Sequence, residues 1–359
     1  MAKLWQIAAG ERTRYYGDWF LEHDVMFMGP GRHGCYAENE AKYGQLRNGL
    51  RRFVDVKKVQ PGDVVLLRCG QRAKAIGLVF GDYAWRETFD DVHGWDLQHT
   101  RRVIWQEDLK DELNRVQPEE GFFRSKQAAT FSAVNDPKVI EQIEPLGGRC
   151  QPRELKRLPE VPREVSRPLE LPELGRELYS RGIPNDAVDR ALSAIERQRQ
   201  LWQWYDEHGQ ASGRPTEHEV VAHLVLPLLL ALGWSEQLLA IEWNRIDLAG
   251  FFRTPTRKED CVLACEAKGM GHGLQDERTF DQAKKHTHGL ARCGRLLLTN
   301  GARFYLYERQ GDKWCDQPAG YLNINRIRTA HLVPTNTNAV DTIEALTPAG
   351  VLRPLKTAS

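Results

Sequence analysis

Little in this chain marks a membrane-bound, secreted or disulfide-stapled protein. Its seven cysteines (Cys35, Cys69, Cys150, Cys261, Cys265, Cys293 and Cys315) are an odd number spread along the whole length, and no C-x-x-C pair occurs. A disulfide framework is not expected, and a reducing, cytoplasmic compartment is the natural one. Cys261 and Cys265 read as small core residues on one face of a buried strand, not as metal ligands. Long apolar runs are also missing. The longest, Val220 to Leu232, contains His223 and Pro227 and is too short to span a bilayer. Met1-Ala2-Lys3-Leu4-Trp5 lacks the apolar core of a secretion signal. There is no G-x-x-x-x-G-K-[ST] loop, so nucleotide-driven translocation is not expected. A net charge of +1 provides no bulk basic field, which counts against binding nucleic acid by charge alone. The basic clusters that do occur are Arg51-Arg52 with Lys57-Lys58, Arg101-Arg102, and Arg292 with Arg295. Each reads by itself as solvated surface. No internal repeat or low-complexity block is present.

What remains is a globular chain, with 41% hydrophobic and 28% charged residues over a length that calls for two or three domains. Residues 1–147 read as mixed α and β. Leu4 to Ala9, Val64 to Arg68, Ala75 to Gly81 and Arg101 to Trp105 are expected strands, and Tyr15 to His23 a turn and short helix. Asp136-Pro137 reads as the start of a helix, with Asp at the N-cap and Pro at the first helical position. Prolines at 145, 152, 159, 162, 168 and 172 mark a linker or surface-draped segment over 148–173. Residues 174–359 begin with two helices broken near Pro184. Val340, Ile343 and Leu346 recur at helical spacing near the end.

The densest chemistry lies in this last region. Cys261 to Ala267 reads as a buried strand that ends on Glu266-Ala267-Lys268, placing a carboxylate and an ammonium two residues apart on one face of the pleat. Ile241 to Leu248 reads as another strand with Asp247 near its end, between Ile246 and Leu248. Phe280 to His286 is helical in pattern, and Leu296 to Gly301 and Phe304 to Tyr307 form a strand pair. If the two acidic strands are neighbours, Asp247, Glu266 and the Ala267 carbonyl could hold Mg²⁺, a hard ion usually bound by one or two carboxylates plus waters. Lys268 would orient or deprotonate a water and stabilise phosphoryl charge. Thr216-Glu217-His218-Glu219 is a capping box, which accounts for Glu219 and leaves Glu217 open to a site role. The helix that follows is expected to be kinked by Pro227 and stopped by Gly233.

These strings, taken in order, resemble the PD-(D/E)xK nuclease superfamily, and most closely the N-terminal nuclease domain of type I restriction motor subunits. They are Glu217, Leu228 to Trp234, Arg245-Ile246-Asp247, Glu266-Ala267-Lys268, Gln282 to His286, and Leu298-Thr299-Asn300-Gly301. The resemblance implies metal ligation by Asp247 and Glu266, catalysis by Lys268, positioning by Gln282, and an acid at Glu217. His286 stands where that family often has tyrosine. The fold implied is a mixed sheet flanked by helices, with Mg²⁺ or Mn²⁺ as cofactor.

The first region resembles the PUA-like superfamily, in its EVE, YTH and ASCH branches. The residues that carry this are Leu4-Trp5-Gln6-Ile7, Pro61-Gly62-Asp63-Val64-Val65 and Ala75-Ile76-Gly77-Leu78-Val79. A small, partly closed β-barrel with helices is implied, holding a flipped and often modified base between aromatic walls. Trp5 and Phe80 lie in apolar strands and read as core. Trp19, Trp85 and Trp95, with Asp82 as a base-edge acceptor, are the pocket candidates, because Tyr83 to Arg86 and His93 to Asp96 read as polar loops. The two resemblances together imply an α/β and α+β chain acting as a modification-dependent, type IV restriction-like DNA endonuclease in phage defence. Double-strand cutting calls for two active sites, which a homodimer or a partner protein would supply. An RNA-directed nuclease and a non-catalytic nucleic-acid-binding protein with a degenerate nuclease fold stay open as rivals.

Overall fold

The computed structural model describes residues 2–11, 14–31, 33–92, 95–123, 130–159, 167–209, 213–269, 274, 277–332 and 337–355. The chain divides into two compact units, Met1–Glu160 and Val161–Ser359. Each is mixed α and β around its own sheet, and each sheet contains both parallel and antiparallel pairs. His93, Gly94 and residues 160–166, including Pro162 of the expected linker, lie outside the described residues.

The strands of the first unit are β1 (Leu4–Ala8), β2 (Gly10–Glu11), β3 (Arg14–Tyr15), β4 (Val25–Met28), β5 (Val64–Cys69), β6 (Arg72–Trp85), β7 (His99–Trp105) and β8 (Phe131–Ala133). Six of them form one sheet in the order β4-β7-β6-β5-β1-β8, and β2 pairs with β3 separately. β4 and β8 are the two ends of that sheet, so among the described residues no closed barrel forms. The expected hairpin is present: β5 and β6 pair antiparallel. Gly77 is required there because a Cβ would come within 2.6 Å of the Trp105 and Val103 side chains.

β6 runs well past the expected Gly81, across a bulge between Val79 and Tyr83, and ends at Trp85. Tyr83 and Trp85 are therefore strand residues, not loop residues. The bulge sets Phe80, Gly81 and Asp82 opposite Arg102 alone, and Phe80, expected inside, is 47% exposed. Trp5 is buried as expected. It stacks on Phe131 and donates its indole N–H to Asp63 Oδ2 at 2.9 Å.

Arg101, read as surface, is fully buried on β7. Its guanidinium donates to the carbonyls of Phe53 (2.6 Å) and Val59 (3.3 Å), and burial lowers its pKa to about 10. The Asp136 N-cap accepts from the Lys138 N–H as expected, and its helix, Pro137–Gly147, runs through Pro145. Beyond it, residues 151–159 are irregular and drape over the unit. Arg153 forms a two-pronged pair with the buried Asp24, at 2.5 and 2.8 Å.

The second unit opens with the helices Leu171–Ser180 and Asn185–Trp204, broken at Pro184 as expected. Its strands are β9 (Leu239–Trp243), β10 (Ile246–Phe251), β11 (Cys261–Ala267), β12 (Arg295–Thr299), β13 (Arg303–Gln310), β14 (Lys313–Trp314) and β15 (Gly320–Asn323). They form one sheet in the order β14-β13-β12-β11-β10-β9, with β15 also on β13. β11 is interior, antiparallel to β10 and parallel to β12. Its residues are buried throughout, which is why it reads as a continuous apolar run.

The stretch expected as one strand over Ile241–Leu248 is a hairpin instead. Asn244 and Arg245 both have positive φ, at 50° and 69°, and Trp243 pairs with Ile246 across this two-residue turn. Asp247 consequently lies at the start of β10, not near the end of a strand. A register shift at Gly250/Phe251 also changes the parity of β11, so that Cys261 and Cys265 belong to different core clusters on different faces.

The helix expected over 220–232 is interrupted before Pro227. Glu217–Val220 and Leu226–Ala231 are α-helical, with a wider π turn at Val221–Val225 between them. Proline lacks an N–H and crowds the carbonyl four residues back, and a π turn relieves both faults. Gly233 ends the element at φ 102°, as expected. Val340, Ile343 and Leu346 are all buried around the helix Ala339–Ala345. No helix among the described residues is long and apolar enough to cross a membrane.

Candidate active site

The carboxylates and the lysine of the second unit converge at one end of β10 and β11. Antiparallel pairing sets Leu248 opposite Cys265, which brings the preceding Asp247 to the end of β11. Asp247 Oδ2 accepts the backbone N–H of Ala267 at 2.6 Å. On either side of that amide, Glu266 and Lys268 project together, and Lys268 Nζ donates to Glu266 Oε1 at 2.8 Å. The Lys268 backbone is held in turn by the next strand, its N–H donating to Thr299 O at 2.8 Å. Thr299-Asn300-Gly301 forms the turn into β13, with Asn300 Oδ1 accepting from Ala302 and Arg303 N–H. That motif therefore shapes the strand end beside the lysine.

Glu217 enters from the Glu217–Val220 helix. Its Oε1 lies 3.3 Å from Lys268 Nζ, with 45% of the Glu217 side chain exposed. Glu219, two residues on, is the capping residue. It accepts the Thr216 N–H at 2.9 Å and pairs with Arg214, whose hydrogen bond holds its carboxyl down at about 2. Asp247, Glu266, Lys268 and Glu217 are thus brought together. Gln282 is not: its side chain is exposed on the helix Glu277–His286, with no hydrogen bond among the described residues. One turn later on the same helix His286 does reach the site, its Nδ1 donating to Glu266 Oε2 at 3.3 Å.

The electrostatics follow from three acids around one ammonium. Burial, with the charges of Glu266 and Glu217, pushes Asp247 up to about 6 against the opposing hydrogen bond from Ala267 and the charge of Lys268. Burial pulls Lys268 down, but the hydrogen bonds and charges of Glu266 and Glu217 outweigh it and hold the ammonium above its ordinary value. The Lys268 ammonium is thus favoured by its two acidic partners. Among the described residues no group of three His, Cys, Asp or Glu side chains is arranged to hold a metal ion. Two adjacent carboxylates with oxygen-only donors fit Mg²⁺ or Mn²⁺, which keep most of their shell as water and substrate oxygens.

The aromatic candidates of the first unit fall into two groups. Trp95 stacks on Tyr16 with ring centroids 6.0 Å apart. Tyr16 in turn touches Phe20, on the short helix Gly17–Glu22 that also carries Trp19. Trp19 lies edge-on to His23 at 4.7 Å. Trp85 belongs elsewhere, edge-on to His99 at 4.9 Å. Asp82 is exposed in the β6 bulge. Among the described ring contacts, none joins Trp19, Trp85 and Trp95 to one another.

His99 anchors a buried polar network that its sequence context does not announce. Its Nδ1 meets the Tyr83 hydroxyl at 3.0 Å and its Nε2 the Tyr43 hydroxyl at 3.1 Å. Tyr43 also donates to the Gly34 carbonyl, and the Cys35 thiol lies 3.9 Å from Tyr83 Oη. Burial pulls His99 down to about 4 and pushes Tyr43 up to about 12. The one available signal was Tyr83 and Trp85 at alternate positions, which becomes informative only once both are known to lie on a strand.

Residues 5–125 match a family described as "Domain of unknown function (DUF8426)". That span falls within the first unit and contains Trp19, Asp82, Trp85 and Trp95 together with the His99 network. No curated protein matches the chain. Among solved structures, Protein Atu2648 from Agrobacterium tumefaciens is similar at 15% identity, over 44% of this chain and 100% of that one, with a TM-score of 0.20. Neither likeness bears on the second unit's chemistry, which rests on its own geometry.

Proposed function

We propose that this chain is a metal-dependent DNA endonuclease whose second unit hydrolyses phosphodiesters and whose first unit selects DNA carrying a modified base. The observation that carries the proposal is the bond from the Ala267 N–H to Asp247, which sets Asp247, Glu266 and Lys268 around one strand end with Glu217 beside them. An order of strands with β11 in the interior, antiparallel to β10 and parallel to β12, is consistent with the nuclease resemblance.

Asp247 and Glu266 would hold a divalent cation. When bound, Mg²⁺ supplies a Lewis acid that polarises phosphoryl oxygens. The site is prepared for this: Asp247, pushed up chiefly by burial and further by the charges of Glu266 and Glu217, would be relieved by a cation placed among them. Lys268 contributes a fixed ammonium for the charge that develops on the phosphoryl group. The burial of Glu266 and Lys268 lowers the local dielectric and strengthens that attraction. Glu217 and Glu266 hold the Lys268 head group in place, so little reorganisation is needed as charge develops.

The reader half has its own support. It consists of partly exposed tryptophans beside buried hydrogen-bonding groups, in a chain without a bulk basic field. Selectivity from a base pocket suits such a chain better than selectivity from charge.

The deciding experiment is Mg²⁺-dependent cleavage of matched DNAs that are unmodified, cytosine-methylated, hydroxymethylated or glucosylated, and of an RNA of the same sequence. Each is tested with the wild type and Asp247→Ala. Cutting of a modified DNA alone, lost in the variant, supports both halves. Equal cutting of all of them removes the reader. Cutting of RNA alone replaces the substrate class. Cutting that survives Asp247→Ala overturns the site.

A further inference from the structure

The helix Glu277–His286 carries the glutamine expected to organise the site, yet the residue of that helix that reaches a catalytic carboxylate is His286. Glu266 has only 4% of its side chain exposed, and its two oxygens are held by donors from different elements. Lys268 Nζ donates to Oε1 at 2.8 Å and His286 Nδ1 donates to Oε2 at 3.3 Å. Two donors on opposite oxygens define the plane of the carboxylate, where a single donor would leave it free to swing about its last torsion.

The helix that presents His286 is itself fixed. Ala283 is buried in the core cluster beneath the sheet, and Phe280 stacks on Tyr307 of β13 with centroids 4.4 Å apart. Just past the helix end, Thr287 Oγ1 accepts the Trp314 indole N–H at 3.0 Å. The imidazole therefore sits at a defined height over Glu266.

We propose that His286 is a positioning residue that fixes the Glu266 carboxylate for a divalent cation, in the place where Gln282 was expected to act. This rests on the nuclease reading. His286 acts through Glu266 and needs only an N–H donor at the position of Nδ1. A side chain of similar shape without a donor cannot replace it, whereas asparagine, which carries an N–H₂ at nearly the same reach, can.

The test uses the full chain and two readouts. The first is Mn²⁺ binding without nucleic acid, followed by electron paramagnetic resonance. The second is the Mg²⁺ concentration that gives half-maximal cleavage. The variants are His286→Ala, His286→Phe and His286→Asn, with Glu266→Ala as the loss control and the exposed His288→Ala as the neutral one.

His286→Ala and His286→Phe are expected to weaken Mn²⁺ binding about 10- to 100-fold, the usual effect of losing a group that orients a metal ligand. The Mg²⁺ requirement should rise in step, and much of kcat should return at saturating Mg²⁺. His286→Asn should stay near wild type. If His286→Ala does not fold, the phenylalanine and asparagine variants decide alone, and equal Mn²⁺ affinities in those two overturn the proposal. Wild-type affinity in His286→Ala with binding lost in Glu266→Ala overturns the positioning role and leaves the metal site standing. Binding retained in Glu266→Ala removes the metal site, and the proposal with it.

Discussion

Asp247 Oδ2 and the Ala267 N–H, 2.6 Å apart, join the start of one strand to the end of its neighbour at the residue between Glu266 and Lys268. A side-chain carboxylate thereby occupies a backbone donor and sits close to two other acids. Asparagine can accept the same bond without the charge. Asp247→Asn should therefore leave the metal-free protein as stable as wild type or more so at pH 8. The expected gain is on the order of 1–2 kcal/mol after allowing for solvent screening, read as a rise of a few degrees in Tm. Metal-dependent cleavage should be lost in the same variant. A clear drop in Tm would assign Asp247 a purely structural role.

The two units should respond to acid in opposite directions. Asp247 has a folded pKa raised from 3.8 to about 6, so its folded form binds the extra proton between those values. Its contribution to stability is full below pH 3.8 and is lost as pH rises through about 6. His99 has a folded pKa lowered from 6.5 to about 4. Its contribution is present above pH 6.5 and is lost as pH falls through about 4, amounting to about 2–3 kcal/mol. Acidification from pH 7 to pH 4.5 should destabilise the first unit in a way that His99→Gln flattens. The second unit should gain in a way that Asp247→Asn flattens. Unit-resolved hydrogen exchange across that range checks both signs.

Lys268 and Glu217 should separate stability from function. Lys268→Met leaves the buried Glu266 without its main cation and should cost roughly 3–5 kcal/mol in urea unfolding, as broken buried pairs do. Glu217→Gln removes a half-exposed partner and should cost under about 1 kcal/mol. If Glu217 belongs to the site, its variant still lowers cleavage at least tenfold. A variant with wild-type rates would return Glu217 to the surface.

In the first unit, Trp85→Ala and Trp95→Ala should each weaken binding of modified DNA by about 1–3 kcal/mol if the ring stacks on a base. Binding is best measured by fluorescence anisotropy in an Asp247→Ala background, where the DNA stays intact. The two tryptophans lie in different aromatic groups. Loss in one variant only would therefore locate the base.

Gly77→Ala is a structural control for that unit. The added methyl would sit 2.6 Å from Trp105 and Val103. Overpacking of this kind typically costs about 1–3 kcal/mol, and a chemical-denaturation midpoint equal to wild type would contradict the packing described here.

Much of this was legible in the chain because it is written in local chemistry. Apolar runs placed β5 and β11, Asp136-Pro137 and Thr216 to Glu219 announced their helix starts, and Gly233 announced a helix end. Glu266-Ala267-Lys268 sits on a central strand, as its apolar approach implied. Spacing by two along a pleat and hydrogen bonds within four residues depend on the residues themselves.

Other features depended on which strand lies beside which. The positive-φ turn at Asn244-Arg245 divides what reads as a single strand, and so sets Asp247 against Ala267. The one-residue shift at Gly250/Phe251 reverses side-chain parity and separates Cys261 from Cys265, while in the longer bulge of β6 Phe80 is left exposed. Burial of Arg101 and His99 follows from segments far away in sequence, and the choice of His286 over Gln282 follows from how one helix packs on β13. Residue type and spacing by themselves determined the chemistry available to this protein. Only long-range pairing decided which of those groups meet, because a shift of one residue in register, or one turn of a helix, moves a side chain to another face.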